Sequence, residues 1–164
     1  MKPDGIATNF APGRGGHERA AAEIFTHNFP GVDEKLLQNT AKMEIVARRD
    51  GDKIRVEVRV TNSEAGHHIP TDHPMRNMIL LVKATDAQGR ELNFLEGAIV
   101  PEWGGKGNAP NDYAGKPGEG YAKILENLWT EDSPAVSYWR QTVLRADTRI
   151  PALATDVSSY AFTV

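Results

Sequence analysis

Three of the five histidines stand close together, in the spacing His67-His68-x4-His73. Neutral imidazole ligates Zn, Cu, Ni or haem iron, and it also caps free backbone groups in loops. Adjacent residues at a strand end point to opposite faces, so His67 and His68 do not readily share one ion, whereas either can pair with His73. A protein-held metal wants three or four ligands, and no cysteine or carboxylate stands at a customary spacing from this trio. Three readings therefore stay open: capping of the loop backbone, contact with or ligation of a haem iron, and a dedicated metal on His67, His68 and His73.

The remaining candidates carry less chemistry. His17 and His27 taken alone are surface histidines. Asp72 and Asp147 with Arg76 and Arg149 place opposite charges in stiff loops, which suits a structural network of ion pairs better than general acid–base work. Ser158 and Ser159 lack the G-x-S-x-G elbow of a serine nucleophile. The glycine-rich stretches near 15, 104 and 115 are followed by no Lys-Ser/Thr and make no phosphate loop. Trp103, Trp129 and Trp139 read as core or rim packing, with a sugar-stacking platform as the alternative. No catalytic residue stands out, and the chain alone reads as a module without a reaction of its own. With no cysteine present, disulfides, thiolate metal sites, cysteine nucleophiles and C-x-x-C-H haem attachment are excluded from this chain.

What positions the histidine loop is a strand. Val56, Val58 and Val60 point one way and Glu57, Arg59 and Thr61 the other, so the strand is half buried and delivers the loop to a sheet rim. Asn62 and Gly66 are turn formers, while Pro70 and Pro74 fix φ and bias Ile69 and His73 toward extended backbone. Upstream, Ala41, Met43, Ile45 and Ala47 alternate with Lys42, Glu44 and Arg48, and Asp50-Gly51-Asp52 between the two runs predicts a hairpin. Residues 77–86 predict a third strand with Met78, Leu80, Val82 and Ala84 on one face, turning at 87–90 into a fourth over 91–100. Residues 101–120 form a long Gly/Pro-rich loop. Residues 120–129 predict a helix with Ala122, Leu125 and Trp129 on one side, and 136–145 and 155–164 predict strands. Residues 1–39 read as an irregular N-terminal arm with short helices at His17–Phe25 and from Asp33 to Asn39. The expected fold is mainly β, an antiparallel immunoglobulin-like β-sandwich over residues 40–164.

The composition, 40% hydrophobic and 25% charged in 164 residues, is that of one soluble globular domain. A net charge of −3 gives no basis for a nucleic-acid partner. No apolar run approaches the roughly 20 residues of a membrane span. Met1-Lys2-Pro3-Asp4-Gly5 shows no signal peptide, so the chain is expected to be cytosolic or a mature or excised piece with an added Met. An alternation still running at Val164 reads as truncation at the C-terminus.

Several motifs in order complete the reading. Thr26-His27-Asn28-Phe29-Pro30-Gly31 is followed by Val60-Thr61-Asn62, Ala65-Gly66-His67-His68-Ile69-Pro70-Thr71 and Pro74-x-Arg76. Tyr113-Ala114-Gly115-Lys116-Pro117-Gly118, Tyr121-Ala122-Lys123, Tyr138-Trp139-Arg140, Asp147-Thr148-Arg149-Ile150-Pro151, Asp156 and Ser159-Tyr160-x-Phe162 follow. Over residues 24–164 this resembles the C-terminal half of periplasmic multihaem c-type cytochromes. The resemblance implies a haem-free accessory domain in electron transfer, packed on haem c carried by the same parent protein or a partner cytochrome. It implies His27 and His67 or His68 as distal axial haem ligands, and a periplasmic or extracellular location. Two departures stand out: Asp72 occupies a position that is usually Gly in that family, and no haem-attachment motif is present. The rival readings are a periplasmic metal-binding module using the histidine loop, and an adhesion or carbohydrate-binding sandwich using the tryptophans.

Overall fold

Two alternating runs separated by Asp-Gly have one economical solution, a tight antiparallel hairpin. The computed structural model, which describes residues 20, 37–71, 73, 75–136 and 139–164, contains it. β1 (Lys42–Asp50) and β2 (Lys53–Thr61) pair without a break from Lys42↔Thr61 to Asp50↔Lys53. Gly51 makes the turn at φ 64°, a conformation that glycine adopts without a Cβ clash. The register sets Met43, Ile45 and Ala47 opposite Val60, Val58 and Val56, hence on one face.

On its other edge β2 pairs with β7 (Thr155–Thr163), which pairs in turn with β4 (Phe94–Gly97), giving the order β1-β2-β7-β4. A second sheet has the order β3-β5-β6, with β3 (Asn77–Leu81), β5 (Gly118–Asn127) and β6 (Thr142–Asp147). Every strand pair is antiparallel. The described part of the chain is therefore mainly β, in two antiparallel sheets, within one compact unit over Asn39–Val164. Val56, Val58, Val60, Tyr160 and Phe162 of the first sheet share a core with Tyr121 of the second and with Ile69, Val82 and Ile150 from loops. Each such side chain contributes about 1.5–3 kcal/mol by leaving water. Phe94 closes one end against Phe162, with ring centroids 5.8 Å apart and a tilt of 59°.

Four elements differ from the sequence reading. The strand predicted at 91–100 is confined to β4, Phe94–Gly97. The predicted helix at 120–129 is strand β5, whose Tyr121 side faces the core while Gly120 lies under the Trp103 ring. A Cβ on Gly120 would come within 2.5 Å of that ring. Ala, Lys, Leu and Glu favour helix weakly, but residues 118–122 pair with β3 and residues 123–127 with β6, and that tertiary pairing wins. The third strand stops at Leu81: the Val82 N–H still reaches the Pro117 carbonyl at 3.0 Å, but proline has no N–H to return the bond; Val82 and Ala84 nonetheless keep to the core side. The strand predicted at 136–145 begins only at Thr142; the chain after β5 folds back so that the Ala135 N–H reaches the Leu125 carbonyl at 2.7 Å. The helix predicted at His17–Phe25, apart from Ala20, and the first part of that predicted from Asp33 lie outside the described residues. Among the described residues no helix is long and apolar enough to cross a membrane.

Candidate functional site

The histidine loop is held by an asparagine. Positions 56, 58 and 60 of β2 are buried, and the same two-residue phase carries Asn62 inward, where it is fully buried. A buried amide is costly unless it finds partners. Asn62 Nδ2 donates to the His67 carbonyl at 2.7 Å and to the Ile150 carbonyl at 3.1 Å. Its backbone bonds the 153–154 segment through Ala154 O and Leu153 N–H, each at 3.0 Å, and Ile69 and Ile150 exchange both N–H···O bonds at 2.9 Å. The loop is thus fastened at both ends to the chain that follows β6. Asn62 is thus more than a turn former; the signal for its larger role is a polar residue continuing the buried phase of a strand.

The histidines on this loop are exposed but not equivalent. His67 Nδ1 lies 3.0 Å from the His68 carbonyl. A carbonyl only accepts, so Nδ1 carries the proton and Nε2 of neutral His67 keeps a free lone pair. His73 is set the other way: its Nδ1 accepts the Met75 N–H at 3.1 Å, which leaves the proton of the neutral ring on Nε2. The Arg76 N–H also returns to the His73 carbonyl at 2.8 Å, so His73 closes a turn. Among the described residues no three His, Asp or Glu side chains form a group able to hold a metal ion.

Behind the loop, Arg149 grips Asp147 through Nε at 2.8 Å and Nη2 at 2.6 Å. The Arg149 hydrogen bonds hold the Asp147 carboxyl below its usual range, with a smaller contribution from nearby His68. The half-buried Arg76 is also engaged with its surroundings. Asp72, His17 and His27 lie outside the described residues.

The start of β1 lies at the same sheet end, because Lys42 pairs with Thr61, one residue before Asn62. Met43 and Ile45 share the face of buried Val60 and Val58, yet they are 57% and 59% exposed. An apolar strip that no described residue covers thus begins beside the rim from which the histidines project. The sequence alternation located this strip but gave no sign that it stays open.

Between the sheets sits a polar cluster that the sequence reading missed. The Tyr121 hydroxyl donates to Asp156 Oδ2 at 2.8 Å, and Tyr160 donates to Ser158 Oγ at 3.0 Å. Burial, reinforced by Asp156, pushes the Tyr121 phenol far up. Desolvation raises the Glu119 carboxyl, and the Asp156 charge adds to it. The signal was again phase: Glu119 and Asp156 occupy core-side positions of β5 and β7, opposite Leu80 and Val60. Trp103 packs on Gly120, whereas Trp129 and Trp139 project from the loop after β5, exposed rather than in the core. Compared with known proteins, the chain matches no family model, no curated protein and no solved structure.

Proposed function

We propose that residues 40–164 form an immunoglobulin-like β-sandwich that serves as an accessory electron-transfer domain of a multihaem c-type cytochrome, periplasmic or extracellular. It lies against haems carried by another segment of the parent protein or by a partner cytochrome, and it supplies His67 as a distal axial ligand. The observation that carries this reading is the His67 hydrogen bond: with Nδ1 tied to the His68 carbonyl, the ring offers Nε2 outward from a fastened loop. A macrocycle-held iron asks only one imidazole of this chain, which His67 can give, whereas a dedicated metal asks for three or four ligands. The opposite setting of His73 counts against its joining His67 or His68 on such a metal.

Haem c, when bound to its own segment, supplies the reversible one-electron couple. This chain's residues do the rest. Asn62 holds the loop, so His67 loses little freedom on ligation. The open strip of Met43 and Ile45 gives an apolar surface that excludes water from a haem edge, and exclusion of water is one of the levers on haem potential. His27 is proposed as a second axial ligand on the strength of the resemblance alone.

The test uses a haem-bearing c-type segment whose distal position is open, joined to this chain. The expected result is conversion of a high-spin to a low-spin spectrum with a shifted midpoint potential. His67→Ala should abolish the conversion, and His73→Ala should leave it in place. An unchanged spectrum in His67→Ala, with His68→Ala and His27→Ala also silent, would reduce the domain to a passive cover.

A further inference from the structure

The loop joining β5 to β6 carries aromatic surface that the core does not use, with Trp129 81% exposed. Beside it opens a cleft of about 320 Å³ lined by Asn127, Trp129, Thr130, Arg140 and Gln141. Asn127, the last residue of β5, is only 5% exposed. Its backbone is satisfied, since its N–H reaches the Asp132 carbonyl at 3.0 Å and its carbonyl accepts the Glu131 N–H at 2.9 Å. Its side-chain Oδ1, by contrast, is buried and accepts from no donor among the described residues. Buried amide oxygens are rarely left so, and a small turn of an amide in the wall of a cleft offers its oxygen to a ligand bringing a hydroxyl or N–H. The Arg140 guanidinium pairs with no described residue, and neither does the Trp129 indole N–H.

We infer that this cleft binds a single hexopyranose unit of a glycan. Its size stands at the small end of ligand sites, which run from about 300 to 1,000 Å³, and so suits one sugar ring rather than a cofactor. The apolar C–H face of the ring lies on Trp129, a ring hydroxyl donates to Asn127 Oδ1, and Arg140 and Gln141 donate to oxygens at the ring's edge. A neutral hexose and a hexuronate share this chemistry; Arg140 adds a charge-assisted bond to the carboxylate of the second.

The experiment follows the indole N–H signals of the three tryptophans by nitrogen-15 NMR, during titration with a neutral cello-oligosaccharide and with an oligogalacturonate. The Trp129 signal, identified by its loss in Trp129→Ala, should move saturably with at least one sugar while the Trp103 signal stays. Trp129→Ala should weaken binding about tenfold, and Arg140→Ala should weaken the acidic sugar more than the neutral one. Asn127→Ala, checked for folding by circular dichroism, should weaken both. Binding confined to one sugar would support the site and fix its class. A Trp129 signal that neither sugar moves, or equal binding by parent and Trp129→Ala, would overturn it.

Discussion

β1 and β2 carry the same two-residue alternation and pair residue for residue, but only β2 is buried. Val58 is 1% exposed, whereas Ile45, directly opposite and on the same face, is 59% exposed. The difference lies in what stands across from them. β2 has a strand on each side and lies under Tyr121 and Ile150; β1 is the outer strand of a four-stranded sheet facing a three-stranded one. Alternation therefore reports which face a strand would bury, not whether another element covers that face. An uncovered strip at an open sheet edge is a pairing hazard that proteins restrain with charge, and Lys42, Glu44, Arg48, Arg49 and Asp50 supply that charge along β1. In our account the missing cover is a haem-bearing partner.

The sharpest way to break the comparison is the same substitution on both strands. Val58→Asp buries a charge without a partner and should cost about 3–5 kcal/mol, read as a fall in the urea midpoint. Ile45→Asp should stay within about 0.5 kcal/mol in the isolated chain. Equal losses would mean that β1 is covered too. Next in size, Asn62→Ala removes the donor from the buried carbonyls of His67 and Ile150 and should cost about 2–3 kcal/mol in the same measurement.

Two acid–base predictions follow, with opposite signs. The Glu119 carboxyl is raised in the fold by desolvation and by Asp156, so its ionisation opposes folding. Its favourable balance holds below the ordinary Glu range and is lost as pH rises through the folded value. Glu119→Gln should therefore gain in melting temperature at neutral pH relative to the parent and lose that gain near pH 3. Asp147 is lowered by Arg149, so its contribution is present above the ordinary carboxylate range and disappears on acidification toward its lower folded value. Asp147→Asn should cost less than about 1 kcal/mol at neutral pH, and nothing once the parent carboxyl is protonated.

The strands around Gly51 and along β7 were legible because their side chains alternate cleanly and Asp-Gly marks the turn. β5 was not, because Gly118 and Gly120 blur its alternation and its neighbours suit a helix; only its two partner strands make it extended. Of the candidate site, the His67-His68-x4-His73 spacing was visible. The division of labour between His67 and His73 was not, because it rests on which nitrogen meets a carbonyl and which meets an N–H, and no spacing encodes that. Asn62 and Glu119 were legible in principle, as polar residues standing in the buried phase of a strand.

The most direct test of the account is the protonation pattern of the histidine loop in the chain itself. Nitrogen-15 NMR at about pH 8, where imidazoles are neutral, distinguishes protonated from bare ring nitrogens. The account predicts a proton on Nδ1 and a bare Nε2 in His67, the reverse in His73, and loss of the His67 preference in Asn62→Ala. A His67 ring protonated on Nε2, or the same tautomer in both rings, would contradict it.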